Sequence, residues 1–252
     1  EWQSRPLSSV YAVVFFDAIH YKVRENSRVV TKAAYTVLGI NLEGRKEILG
    51  IWVGENEGAR FWATVVNELK NRGVDDILIA CIDGLKGLPE AIKSVYNDVE
   101  IQLCVVHMIR NSIKFVPHKV CKEFMHDLKT IYTAPSQISA EQELENLIQK
   151  WDPKYPLAVK PWVQNWEHLN TFFKFPHDLK RMIYTTNAVE AVHRGFRKVT
   201  KNKAAFPTND SLLKSLYLTS IKLSKKWTLP IRSWKTIVSQ LSIFFEGRVV
   251  FN

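Results

Sequence analysis

The chain has 252 residues, of which 46% are hydrophobic and 24% are charged, so it can bury a sizeable core and is not a disordered protein. Lys and Arg outnumber Asp and Glu by 35 to 25, and the net charge of +10 suits a polyanionic partner without excluding others. Three scattered cysteines, no apolar run of about 20 residues and no signal peptide favour a cytoplasmic protein without a membrane span. Because the chain does not begin with Met, we expect a fragment of a longer protein or a processed chain.

The first third of the chain predicts an antiparallel meander. Residues 10–16 form an apolar run that ends in Asp17 and predict a buried strand. Residues 31–40 and 47–53 are β-rich and are joined by a predicted turn at residues 41–44.

Helices and strands then alternate. Residues 59–72 have apolar side chains at helical spacing and are followed by Gly73, which predicts a helix and its end. The pattern next predicts a buried strand, a short helix and a strand over residues 77–82, 89–96 and 100–106. This alternation predicts a mixed α/β sheet.

The rest of the chain predicts helices. We divide the whole chain into a first core segment at residues 1–108, an all-helical insertion at 109–182 and a second core segment with C-terminal helices at 183–252. Prolines interrupt the insertion at positions 117, 135, 153, 156, 161 and 176. A loop near residues 202–210 and a break at Pro230 divide the last segment.

Two acids, Asp17 and Asp83, directly follow predicted buried strands. Ligand sites of α/β sheets gather where strands end, and carboxylates there can hold a hard cation such as magnesium. The glycines of the segment I-D-G-L-K-G after the second strand leave room for a metal and a phosphate. The structural alternative is that Asp83 begins a turn or caps the next helix.

A third acid, Glu190, lies on a predicted helix whose core stripe is Val189, Val192, Phe196 and Val199. The neighbouring stripe places Glu190 beside cations, which is consistent with a metal ligand next to a phosphate clamp. Two structural alternatives remain. With Asn187 as N-cap, Glu190 is the third helical residue and a capping-box partner, and the cations form a solvated face.

Four segments carry a specific resemblance to a known family: F-F-D-A-I-H (15–20), C-I-D-G-L-K-G (81–87), Q-L-C-V-V-H-M-I-R-N (102–111) and Y-T-T-N-A-V-E (184–190). Residues 5–7, 69–73, 127–132 and 226–234 extend it over essentially the whole chain. In these segments the chain resembles Mutator-like transposases of bacterial insertion sequences.

The resemblance implies an RNase H-like (retroviral integrase-type) mixed sheet with an all-helical insertion before the catalytic Glu. It implies an Asp-Asp-Glu triad at Asp17, Asp83 and Glu190, which would hold two magnesium or manganese ions. Asp17 would bridge the ions, and the other two acids would flank them. The implied chemistry is hydrolysis of a phosphodiester followed by transesterification.

The implied partner is DNA, both transposon ends and target. We expect phosphate contacts from the stripe and the loop after it, at His193, Arg194, Arg197, Lys198, Lys201 and Lys203. Relatives usually continue Ser-Leu-Asn after the Glu, whereas this chain has Ala191-Val192-His193.

The family also carries Cys-x-x-His, here Cys104 and His107, as an auxiliary motif near the active site. His118 and Cys121 could complete four zinc ligands, but the family pattern does not require them, and structural zinc is not expected.

The resemblance further implies a bacterial protein that associates with the nucleoid and acts as a homodimer or larger assembly. The N-terminal end-recognition domain of relatives is expected to be missing. Two alternative functions remain, a nuclease that only hydrolyses and a non-catalytic DNA-binding remnant. The tryptophans, among them Trp151, Trp162 and Trp234, are interpreted as core rather than as base-stacking residues.

Overall fold

The structure is a computed structural model that describes residues 1–54, 58–85, 87–184 and 187–249. The chain divides into two compact units. Unit 1 comprises Glu1–Glu100 and Thr186–Asn252, and unit 2 comprises Ile101–Thr185. Across the described ranges, no helix is long and apolar enough to cross a membrane.

A mixed sheet of five strands, in the order β3-β2-β1-β4-β5, lies in the described part of the chain. Its strands are β1 Val10–Glu25, β2 Arg28–Asn41, β3 Lys46–Gly54, β4 Asp76–Ile82 and β5 Glu100–Leu103. Adjacent strands are antiparallel from β1 to β3, whereas β4 runs parallel to β1. The predicted meander and the mixed α/β class are confirmed.

The helices follow the predicted distribution. In chain order they are α1 Ala59–Asn71, α2 Leu88–Val95, α3 Val105–Ile113, α4 His118–Thr133, α5 Gln137–Trp151, α6 Pro156–Gln164, α7 Trp166–Leu169, α8 His177–Ile183, α9 Asn187–Thr200, α10 Asn209–Ser224 and α11 Trp234–Phe244. A 3-10 helix at Thr171–Lys174 precedes α8. The predicted helix at residues 59–72 is confirmed by α1, after which Gly73 has a φ of +98°.

Strand β1 is longer than its apolar run predicts. Residues 11–16 are completely buried, and after Asp17 buried and exposed side chains alternate. The strand continues because it pairs with β2 as far as Glu25 and Arg28, around a tight turn whose residues Asn26 and Ser27 have positive φ. Asp17 therefore lies inside a strand, and the prediction that it ends one was wrong.

The strand predicted over residues 100–106 ends at Leu103. Cys104 caps α3, since its Sγ accepts a hydrogen bond from the backbone N–H of His107 at 3.5 Å. The apolar residues after Cys104 belong to a helix because this cap satisfies one of the backbone donors that a helix start leaves open. Periodicity alone does not separate a short apolar strand from a buried helix.

Trp151, Trp162 and Trp234 form part of the core, as predicted, whereas Trp166 and Trp227, also interpreted as core, are half-buried. In unit 2, the Nε1 of buried Trp162 donates to Ser112 Oγ at 2.9 Å, and the Nε1 of Trp151 donates to Asp127 Oδ2 at 2.8 Å. In unit 1, Trp234 is buried and donates to a backbone carbonyl at 2.7 Å. Each indole buries its ring and keeps its polar N–H satisfied.

Several prolines of unit 2 mark helix starts rather than gaps. Pro117 and Pro176 are the N-cap residues of α4 and α8, and Pro156 begins α6. A proline fits these positions because the first helical N–H groups have no partner within the helix. Pro161 lies inside α6, so the predicted interruption there is wrong.

Candidate active site

The register of two strands explains how the first two predicted acids meet. In the parallel pairing of β1 with β4, Phe16 lies opposite Ile82. Asp17 and Asp83 are the next residues of the two chain segments. A carboxylate oxygen of Asp17 lies within 4.8 Å of one of Asp83. The sheet therefore brings together two carboxylates that are 66 positions apart in the sequence.

Asp17 is held firmly. Its side chain is 3% exposed, and its Oδ1 accepts a hydrogen bond from the backbone N–H of Ala18 at 2.8 Å. On the other edge of β1 it pairs with Thr36 of β2, which is completely buried. An apolar strand core thus fixes the carboxylate before any ligand arrives.

Asp83 directly follows β4 and starts a loop in which Gly84 and Gly87 both have positive φ, +85° and +78°. A side chain at Gly87 would also place its Cβ 3.0 Å from the Cβ of Ala59. These glycines therefore have a backbone role in the turn. Lys86 lies outside the described residues, so the structure describes only part of the predicted loop.

Helix α9 places its acid one turn before a histidine. Glu190 and His193 are three residues apart and so share a face. His193 is 3% exposed, and its Nδ1 lies 3.5 Å from Asp17 Oδ2. Among the described residues, Glu190 does not join Asp17 and Asp83 in a group whose ligand oxygens all lie within 4.8 Å of one another.

The predicted helix cap near Glu190 differs from the structure. Helix α9 already includes Asn187, so Glu190 is its fourth residue and not its third. The side chain of Asn187 and the residues before it, 185 and 186, lie outside the described part.

The predicted DNA-contact residues do not share one surface. Arg194, Arg197, Lys198, Lys201 and Lys203 are all exposed, whereas His193 is buried against Asp17. Arg197, Lys201 and Lys203 line a cleft of about 510 Å³ with the second half of β1, and we call this cleft the β1 cleft.

Arg194 and Lys198 line a second cleft of about 240 Å³, which we call the α10 cleft. Lys222 of α10 and Lys226, two residues after the end of that helix, complete it. Sequence reasoning missed these two lysines, although the basic run that includes Lys225 and Lys226 was a usable signal.

Tyr21 forms part of the β1 cleft. Burial raises the pKa of Tyr21 to about 12, against the smaller lowering effects of the nearby Thr200 hydroxyl and of the charge of Arg197. The phenol stays neutral at physiological pH and can donate a hydrogen bond.

In unit 2, the auxiliary motif has a local structural role. Cys104 is buried and caps α3, and His107 follows in its first turn. His118 begins α4 and is exposed, while Cys121 is half-buried in the same helix.

Comparison with known proteins identifies the family. Residues 1–229 match the family described as "Transposase, Mutator family". The chain belongs to the Mutator family of transposases. A transposase for insertion sequence element ISRM3 of Rhizobium meliloti (strain 1021) is 43% identical over 249 residues, which are 98% of this chain and 62% of that protein.

Two further relatives of this Mutator-family chain come from other bacteria. A probable insertion-sequence transposase of Corynebacterium diphtheriae is 40% identical over 89% of this chain and 66% of its own length. The transposase for insertion sequence element IS256 in transposon Tn4001 of Staphylococcus aureus is 28% identical over 93% of this chain and 60% of its own length. The chain thus spans about three fifths to two thirds of these relatives.

Proposed function

We propose that this chain is the catalytic part of a DNA transposase that cleaves DNA strands and joins the cut end to target DNA. The observation that carries the proposal is the Asp17–Asp83 carboxylate pair, held by parallel strands in a chain of the Mutator family. The order and directions of strands β1 to β4 in unit 1 support an RNase H-like fold, in which unit 2 is the helical insertion.

The residues fit divalent metal. Two carboxylates this close repel each other when both are ionised, and a cation relieves the repulsion. Oxygen ligands suit magnesium and manganese. Asp17 and Asp83 would hold the metal, and Glu190, presented by α9, would complete the set. Bound ions would activate water or a 3′-hydroxyl and stabilise the leaving oxygen.

The protein's own groups position the reactants. Asp17 is kept in place by its own strand and by His193, which is why we assign His193 an orienting role in place of the DNA contact expected from its position. The exposed cations of the β1 cleft lie along the strand that carries Asp17 and would hold DNA phosphates. Assembly as a homodimer or larger complex on transposon ends and target belongs to this proposal.

A strand-transfer assay tests the proposal. The chain, fused to an end-recognition module, is given pre-cut transposon-end DNA, plasmid target and manganese. We expect joined products from the wild type, and none from Asp83→Asn, which should still bind DNA. Hydrolysis without joining would favour the nuclease alternative, and DNA binding without any cleavage by the wild type would favour the non-catalytic remnant.

The matched control is Asp98→Asn, the same chemical change at an exposed acid. It should transfer strands as the wild type does. If Asp83→Asn also transfers strands, the proposed site is wrong.

A further inference from the structure

Unit 2 contains a cavity that the proposed chemistry does not use. Its volume is about 570 Å³, within the range of roughly 300–1,000 Å³ that holds small organic ligands. It is built from the end of α4, the 3-10 helix and α8. The side chains that characterise it are Tyr132, Phe173, His177, Lys180, Arg181 and Tyr184.

The cavity is basic. None of the described residues that line it is acidic. Lys180 is half-buried, its Nζ lies 4.2 Å from the ring centroid of Phe173, and it donates to the backbone carbonyl of Ala134 at 3.4 Å. Burial lowers the pKa of Lys180, since its ammonium has lost water. No salt bridge found among the described residues involves Lys180 or Arg181, whereas His177 faces Asp178, with 3.5 Å between Nδ1 and Oδ1. An anion entering the cavity would therefore find the positive charges of Lys180 and Arg181.

The cavity also presents aromatic surface. Tyr132, Phe173 and Tyr184 are each only partly buried, unlike the indoles of Trp151 and Trp162 in the core of the same unit. Burial, followed by the nearby phenol of Tyr184, raises the pKa of Tyr132, which therefore stays neutral. Partly exposed rings beside cations provide a stacking surface for a flat π-system that carries negative charge.

A nucleotide combines these two properties. We propose that the cavity of unit 2 binds one unpaired nucleotide of a DNA strand, its base stacked on Phe173 and the tyrosines and its phosphate held by Lys180 and Arg181. The proposal rests on the proposed function, because it takes DNA as the partner. A paired base would be excluded, since its faces are covered by its neighbours in the duplex.

The test uses the full chain and three probes: a short single-stranded DNA carrying one central 2-aminopurine, the same strand fully paired, and deoxyadenosine monophosphate. We expect the wild type to bind the single strand and change the 2-aminopurine fluorescence through stacking. Phe173→Leu should lose at least half of that change.

Lys180→Met, which keeps most of the side chain over the rings, and Arg181→Ala should each weaken single-strand binding about fivefold at 0.1 M salt, the loss expected for one phosphate contact. Lys160→Met, at an exposed helical lysine of the same unit, is the charge-matched control and should change the affinity less than twofold. Arg181 is exposed, so its variant should fold even if Lys180→Met does not. Circular dichroism checks each fold.

Three results would overturn the inference. These are equal weakening by Lys160→Met and the cavity variants, full retention of the fluorescence change in Phe173→Leu, and binding of the free mononucleotide without binding of the single strand. If the cavity variants bind like the wild type while strand transfer still depends on Asp83, only this inference fails. If strand transfer is absent from the wild type but the cavity binds single strands as expected, only the proposed function fails.

Discussion

The imidazole Nδ1 of His193 lies 3.5 Å from Oδ2 of Asp17, and neither side chain is more than 4% exposed. The contact ties helix α9, which carries Glu190, to the middle of strand β1. A buried carboxylate near a second carboxylate is costly unless polar or cationic groups face it, and the imidazole is one such group.

His193→Leu should therefore destabilise the protein. In EDTA we expect a loss of about 1–3 kcal/mol in the free energy of unfolding, because Asp17 loses a buried polar neighbour. His193→Asn should lose less, since an amide can still donate to the carboxylate. Urea unfolding measures both. Equal stability of wild type and His193→Leu would show that the contact contributes nothing.

Divalent metal should stabilise the wild type. At a metal concentration 100 times the dissociation constant, the gain is about 2.7 kcal/mol. Asp17→Asn should remove most of the rise in melting temperature caused by magnesium or manganese, since it removes a ligand charge. Asp75→Asn, at an acid whose side chain is 71% exposed, is the matched control and should keep the rise. A full metal-induced rise in Asp17→Asn would exclude Asp17 as a ligand.

The β1 cleft should contribute to DNA affinity without reading sequence. Replacing Arg197 or Lys201 by Ala should weaken duplex binding about equally for all sequences and reduce the slope of log affinity against log salt by about 0.9 per lost phosphate contact. The slope is measured by fluorescence anisotropy over a salt series. Lys93→Ala, at an exposed position of α2, should leave the slope unchanged. Unchanged slopes in all variants would mean that the cleft is merely a solvated face.

The contribution of the α10 cleft to DNA binding can be tested separately from that of the β1 cleft. If DNA crosses only the β1 cleft, Arg194→Ala and Lys198→Ala should behave like the Lys93 control. If they reduce the slope as strongly as the Arg197 variant, phosphates contact both faces of α9. The structure separates these residues, so the two sets can be tested independently.

Unit 2 should lose stability in acid through Asp127. Burial acts to raise its pKa, but hydrogen bonds from Lys150 and Trp151 outweigh burial and hold the pKa of Asp127 below its usual range. A carboxyl with a lowered pKa stabilises the fold fully above its unfolded pKa of about 3.9, and this contribution disappears as the pH falls through the folded pKa. The acid-sensitive window thus lies below about pH 4.

Asp127→Asn should cost about 1–3 kcal/mol at neutral pH, because Trp151 Nε1 loses its charged acceptor. The difference from the wild type should shrink on acidification to roughly pH 3. Urea unfolding at both pH values measures it, with Asp152→Asn, an exposed acid, as control. A difference that is constant with pH would contradict the assignment.

Glu190→Gln separates the metal-ligand role of Glu190 from a role at the helix start. A Gln can still contact the backbone amides of the first turn, so stability should change by less than about 1 kcal/mol. Strand cleavage and transfer should nevertheless collapse while DNA binding persists, because an amide lacks the ligand charge. Near wild-type strand transfer in this variant would remove Glu190 from the triad.

Local pattern was sufficient for most elements of the fold. The apolar runs before Asp17 and Asp83 predicted β1 and β4, and helical spacing with a following glycine predicted α1. These features are decided by side chains near each other in sequence. Pattern was insufficient after Leu103, where a cysteine cap turns an apolar run into a helix.

The sequence by itself determined which residue types could do the chemistry, and the motifs around them identified the family. Only the tertiary structure decided which of them meet. The register of β1 with β4 brings Asp17 to Asp83, and the packing of α9 on β1 buries His193 against Asp17 while its neighbour Arg194 faces the α10 cleft. Register and helix rotation depend on contacts between distant segments, and a change of one residue in either would turn these side chains to other faces.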